Sequence, residues 1–269
     1  MNGFDLRGRH VVVTGASRGI GLAIARACAE AGAAVSGLSR AGASEPGIDA
    51  IACDVGDAAS VERAFAMARE RHGTIAMLVN NAGIAASAPL GRTSDELWQQ
   101  IIATNLTGTF LCSRAVIGEM RANGFGRIVN LASIAGLYGA PYIAAYCASK
   151  HGVIGLTRAL AAEFAGSGVC IDAICPGYTE TDMMQQAVDQ IVGHTGASPE
   201  DARAQLAAMN PSGRIIEVAT VVRGAMEFLT GDRRPSRGSR PHPRRRRRRR
   251  QRSAAGTRAS PLRRHRSSR

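Results

Sequence analysis

Tyr146 and Lys150 are the residues whose types and spacing most directly suggest chemistry in this sequence. On a helix, positions i and i+4 share a face, so the ammonium would lie beside the phenol. An isolated phenol ionises near pH ~10, so ionisation near neutrality calls for a neighbouring cation. A displacement of about three pH units corresponds to roughly 4 kcal/mol. Lys150 is the chain's only lysine, and there are four tyrosines. Chance would put one of them four residues upstream with a frequency of about 1.5%, so an incidental pair is the weaker explanation. Ser133 supplies a nearby kind of hydroxyl, although a lone serine after an apolar run reads more simply as a helix cap or turn residue.

A second group of residues suits a phosphate. Thr14-Gly15-Ala16-Ser17-Arg18-Gly19-Ile20-Gly21 follows an apolar run and leads into helical periodicity. Its G-x-x-x-G-x-G spacing is a relative of the dinucleotide fingerprint, and lets backbone N–H groups approach a pyrophosphate without Cβ atoms in the way. Asp54-Val55 and Asn80-Asn81-Ala82-Gly83 follow two further apolar runs, at the ends where open α/β sheets bind ligands.

The elements that must position these groups are legible as alternation. Apolar runs at 10–13, 33–38, 48–53, 75–79, 127–131 and 169–174 predict strands. Between them, 20–31, 57–71, 94–121 and 142–165 carry helical spacing. Such alternation implies βαβ units, a parallel sheet and helices on both faces, a doubly wound α/β fold. Residues 180–210 read as one or two helices split across 193–199, and another helix is expected from 217 to about 229.

Composition narrows the class. A chain of 269 residues with 45% hydrophobic content suits one large domain. No stretch reads as a membrane span and no secretory signal is apparent, so the expected location is cytoplasmic. Six cysteines without metal-ligand spacing are expected to be reduced thiols, with no metal bound. The net charge of +13 is local: half of the 34 basic residues are arginines in 233–269. The other 17 face all 21 acids, which leaves residues 1–232 at −4. Residues 232–269 are expected to be disordered, since they hold almost nothing to bury. Two origins compete for them. One is a basic arm that binds nucleic acid non-specifically; the other, favoured here, is out-of-frame reading of GC-rich codons.

Together, Thr14–Gly21, Asp54, Asn80–Gly83, Asn105, Ser133, Tyr146, Lys150 and Pro176-Gly177 resemble the classical short-chain dehydrogenase/reductase family, over roughly residues 6–231. The resemblance implies a seven-stranded doubly wound Rossmann fold, a homodimer or homotetramer, and hydride transfer between a nicotinamide cofactor and a carbonyl or alcohol. The Thr-Gly-Gln turn and final strand of the family have no counterpart here, because the arginine-rich segment begins where they are due. By resemblance, Tyr146 exchanges the proton with the substrate oxygen and Ser133 hydrogen-bonds that oxygen. Lys150 holds the nicotinamide ribose and lowers the Tyr146 pKa, while Asn105 supports a proton relay to Lys150. The cofactor is expected against Gly15, Ser17, Arg18, Gly19, Ile20 and Gly21, with Asp54 and Val55 at adenine. Asn81, Ala82 and Gly83 would line its ribose side, and Pro176, Gly177, Thr179 and Thr181 its nicotinamide end.

Members that use NAD(H) usually carry an acid after the second strand, where this chain has Leu38-Ser39-Arg40. Arg40 and Arg18 suit a 2′-phosphate, so NADP(H) is favoured with NAD(H) as the alternative. The PGYTETDMM stretch and a lid over 180–213 resemble members acting on 3-oxoacyl or 3-hydroxyacyl thioesters. Polyketides, small ketones and 3-hydroxy acids remain alternative substrates. An inactive polyanion-binding protein on the same fold is the alternative from another class.

Overall fold

The computed structural model describes residues 4–42 and 45–231. Six strands, β1 (His10–Thr14), β2 (Ala34–Ser39), β3 (Asp49–Ala52), β4 (Met77–Asn80), β5 (Gly126–Leu131) and β6 (Val169–Ile174), form one sheet in the order β3-β2-β1-β4-β5-β6. Every neighbouring pair is parallel. The sheet is the doubly wound Rossmann type expected from the alternation. Among the described residues β6 is an edge strand and no seventh strand follows it. The arginine-rich segment from residue 232 lies outside the described residues.

Strand periodicity explains why both faces are covered. Val11 and Val13 of β1 point into a core shared with α1 (Gly19–Glu30) and α8 (Val218–Thr230). Val12 between them points into the opposite core, against α2 (Ala58–His72) and α4 (Gly108–Ala122). All three valines are fully buried. Strand order reverses between β1 and β4, and the cleft outside their carboxyl ends is where such sheets take ligands.

Capping chemistry sets the helix boundaries. Asp57 accepts from the Ala59 N–H to start α2, and Gly73 at φ 72° ends it. Ser94 caps α3 (Asp95–Ile102), with Asp95 and Glu96 in its positive first turn. The expected break within 180–210 falls between α6 (Asp182–Thr195) and α7 (Pro199–Ala208). Left-handed Gly196 stops α6, and Ser198-Pro199 starts α7.

Two expectations need correction. The helix over 94–121 is interrupted by a π-helical turn, Ala103–Thr107, which carries Asn105 at the junction of α3 and α4. A single π-helical turn of five residues is too short to be told from α-helix by apolar spacing, so the sequence pattern does not reveal it. Composition also does not exclude a membrane span: within Asp95–Ala122, 28 residues long, an 18-residue window reaches a mean hydropathy of 1.2. Leu111, Cys112, Val116 and Met120 nevertheless pack into the core, which explains the apolar stretch as an interior helix.

Candidate active site

Thr14, the last residue of β1, stitches two carboxyl-edge loops together. Its hydroxyl accepts from the N–H groups of Asn81 and Ala82, both at 3.0 Å. Asn81 Nδ2 returns hydrogen bonds to the carbonyls of Thr14 and Gly15, at 3.0 and 3.2 Å. Gly15 takes φ +67°, and a Cβ there would lie 2.8 Å from Asn81 Nδ2 and 2.9 Å from Ala82 Cα. A Cβ on Gly21 would overlap the Gly15 carbonyl oxygen and Asn81 Nδ2. α1 begins right behind this turn at Gly19, with no side chain capping its first N–H groups. A bare helix N-terminus behind a Cβ-free turn fits a dinucleotide pyrophosphate.

Gly21→Ala should therefore lower stability by about 2 kcal/mol and weaken dinucleotide binding, because the overlap is with backbone that no rotamer change relieves. Denaturant titration and a fluorescence binding titration check both effects. Unchanged affinity would show that the turn tolerates a Cβ and does not need this close approach.

Ser133 and Tyr146 meet at the carboxyl end of β5. Ser133 caps a short 3₁₀ turn, Ile134–Gly136, by accepting from the Ala135 N–H at 3.1 Å. Tyr146 lies in the first turn of α5 (Ala144–Glu163), and the Ser133 hydroxyl hydrogen-bonds its phenol. One turn further on, Lys150 is buried, with Nζ donating to the Leu131 carbonyl at 2.7 Å and 5.7 Å from the Tyr146 ring centroid. Desolvation pushes the Lys150 ammonium down to about 8. Burial pushes the Tyr146 phenol above its ordinary value, partly offset by the Ser133 hydrogen bond. The i, i+4 spacing brings the cation close as expected, but desolvation governs the phenol and Ser133, not Lys150, is what lowers its pKa.

Asn105 sits beneath this group, 1% exposed. Its Nδ2 donates to the Ile84 carbonyl at 2.9 Å and to Ser149 Oγ at 3.0 Å, while Oδ1 accepts from the Ile84 N–H at 2.8 Å. Asn105 thus fixes the loop after Gly83 against the helix that carries Lys150.

A cleft of about 390 Å³ opens over these residues. Ile20, Asn81, Gly83, Ser133, Tyr146 and Lys150 line one part of it, together with Pro176, Gly177, Thr179 and Thr181. The remainder is walled mainly by apolar groups, among them Ile134, Tyr138, Ile143 and Tyr178, with Met183, Met184 and Met209 on the side of α6 and α7. Tyr138 carries no motif and only the fold reveals it, whereas Tyr178 belongs to the PGYTETDMM stretch.

Arg40 and Asp54 line a separate shallow cleft near the ends of β2 and β3, while Val55 is buried beside it. The Asp54 carboxylate accepts from the Gly56 N–H at 2.9 Å. Arg18, expected beside Arg40, is exposed at the start of α1 and lines neither cleft. Arg63, which shares a face of α2 with Ser60 and Met67, lines the same cleft as Arg40. That helical spacing was readable, but nothing in the sequence singled out this face.

Asn210 is a further residue that sequence reasoning missed. It is 3% exposed and holds the peptide of Tyr178, just after Gly177, through both backbone groups.

The fold and the cleft are those of a doubly wound dinucleotide-binding protein. The short chain dehydrogenase family matches residues 9–191. The chain is 38% identical over 239 residues to the 3-oxoacyl-[acyl-carrier-protein] reductase FabG of Escherichia coli, spanning 85% of this chain and 92% of that protein. It is 39% identical over 183 residues to the 3-oxoacyl-[acyl-carrier-protein] reductase MabA of Mycobacterium tuberculosis, spanning 68% of this chain and 74% of the relative. Among solved structures, a single-substitution variant of the actinorhodin polyketide ketoreductase with NADPH superposes with a TM-score of 0.76 at 35% identity, covering 82% of this chain and 90% of the other. The chain belongs to the short-chain dehydrogenase family.

Proposed function

We propose that the protein is an NADP(H)-dependent reductase that converts a 3-oxoacyl thioester to the 3-hydroxyacyl thioester. The observation that carries this reading is the Ser133–Tyr146–Lys150 group opening into a cleft whose outer walls are apolar and bear three methionines from the 180–213 lid. A wall of that kind suits an extended acyl chain, since thioether side chains adapt to varied apolar shapes.

The nicotinamide supplies hydride when bound. The glycine turn and the α1 N-terminus would hold its pyrophosphate, Asp54 and Val55 its adenine, and Lys150 its nicotinamide ribose. Two of the three Lys150 N–H bonds remain for those hydroxyls after the bond to Leu131. Ser133 donates a hydrogen bond to the substrate carbonyl oxygen, and the Tyr146 phenol delivers its proton there as the alkoxide develops. A phenol held above its ordinary pKa stays protonated at neutral pH, as a proton donor must. Asn105, by fixing the loop at Gly83 and Ile84, keeps open the approach through which Tyr146 is reprotonated. The reading carries with it a cytoplasmic homodimer or homotetramer.

Loss of NADPH absorbance with 3-oxoacyl thioesters, small cyclic ketones and an aromatic polyketide analogue compares the substrate classes. The thioesters should give the highest kcat/KM. A preference for the cyclic or aromatic ketones would replace the acyl assignment while leaving the chemistry intact.

Arg40 supports the choice of NADP(H), because it makes no ion pair among the described residues and opens onto the cleft beside Asp54. Arg40→Asp should raise the Kd for NADPH by about tenfold, worth about 1.4 kcal/mol, and leave NADH unchanged or improved. If the ratio of the two affinities does not move, Arg40 does not select the cofactor.

A further inference from the structure

We propose that Asn210 is a positioning residue for the nicotinamide end of the cofactor, acting through the Gly177–Tyr178 backbone, and that it ties that backbone to the substrate lid. The inference rests on the nicotinamide reading of the cleft. Asn210 lies just past the end of α7, and its amide group meets three backbone partners. Oδ1 accepts from the Tyr178 N–H at 2.7 Å, and Nδ2 donates to the Tyr178 carbonyl at 3.0 Å and the Arg214 carbonyl at 2.7 Å. A side chain that satisfies both backbone groups of one residue fixes the local chain direction there. The neighbouring Gly177 has no Cβ, and one there would overlap Asn210 Oδ1. The glycine is therefore what lets the amide approach.

The loop held in this way has its other contacts inside the site. The Pro176 carbonyl accepts from the Ile134 N–H at 2.9 Å, directly after Ser133. Thr179 Oγ1 donates to the Gly177 carbonyl at 3.0 Å, and Thr181 caps α6. Tyr178 and Ile216 bond through backbone, as do Glu180 and Ile216, each at 2.9 Å. Asn210 thus closes a ring from the serine turn, through Pro176–Thr181, to the base of α7. Met209, its neighbour, lines the cleft. A change in the Tyr178 backbone would be felt both at the nicotinamide end and at the lid.

An apolar replacement of similar volume leaves the Tyr178 N–H without its acceptor and the Tyr178 carbonyl with only the Ile216 N–H, so the Tyr178 backbone should turn. The adenosine end of the cleft shares no residue with this ring. Asn210→Leu should raise the Kd for NADP⁺ by about tenfold. Binding of adenosine 2′,5′-bisphosphate, the adenosine half alone, should stay unchanged. Calorimetric titration with both ligands reads the split. Equal weakening of both would mean general destabilisation and overturn the proposal, as would no effect on either. Wild-type hydrogen exchange provides a second measurement if the variant does not fold. Amides in 177–181 and 207–214 should gain protection together with NADP⁺ and not with the adenosine half. Protection confined to 177–181 would refute the tie to the lid. Failure of the wild-type protein to bind NADP⁺ at all would instead bring down the nicotinamide reading, and this proposal with it.

Discussion

Tyr146→Phe is expected to lower kcat by about 10³-fold while leaving the Kd for NADPH within about twofold, the range in which a single general acid contributes. The substitution removes one oxygen from a ring that packs in the first turn of α5, so the cleft keeps its shape. What disappears is the phenolic proton, held beside Ser133, that can follow the developing alkoxide. Ser133 remains able to polarise the carbonyl but cannot complete the transfer, since its hydroxyl has no base behind it among the described residues. Single-turnover kinetics with saturating NADPH isolates the chemical step. A folded variant that keeps more than about a tenth of the wild-type rate would rule out Tyr146 as the proton donor.

Lys150→Met should abolish activity and also make the protein more stable. The buried ammonium is displaced from 10.5 to about 8 by desolvation, a penalty of about 3 kcal/mol at neutral pH. Methionine has a similar length and no charge to desolvate, so that penalty vanishes. Against it stands the Leu131 carbonyl, which loses its partner at a cost of about 1–2 kcal/mol. The net expectation is a gain of about 1–2 kcal/mol.

The pH dependence gives the same effect a signature. Between about pH 8 and 10.5 the unfolded chain still holds the Lys150 proton and the folded protein releases it. The unfolded state therefore binds more protons in that window, and wild-type stability rises with pH across it. It is lost again as pH falls through about 8, below which the full penalty applies. The variant should lack this rise. Urea denaturation at pH 7 and pH 10 measures both, and a Lys150→Met protein less stable than wild type at pH 7 would show that the ammonium is better solvated than its burial implies.

That trade of stability for chemistry also explains what was readable in advance. A single lysine in an otherwise arginine-only set of basic side chains stood out because arginine has neither the compact charge nor the adjustable pKa that this position uses. The strand–helix alternation, the glycine turn and the Tyr146/Lys150 spacing are local properties, since each depends on the period of one element or on one turn. Local pattern was therefore enough to specify the sheet, its two covered faces and the residues that line its carboxyl edge. Contacts between distant segments left no such trace. Asn210 reaches Tyr178 across 32 residues, and Arg63 lines one cleft with Arg40. The π-helical turn that seats Asn105 is only five residues long, too short to leave a trace in the apolar pattern. Even the direction of the Tyr146 pKa emerged only from the packed molecule, because desolvation depends on everything around the phenol and not on the one cation four residues away.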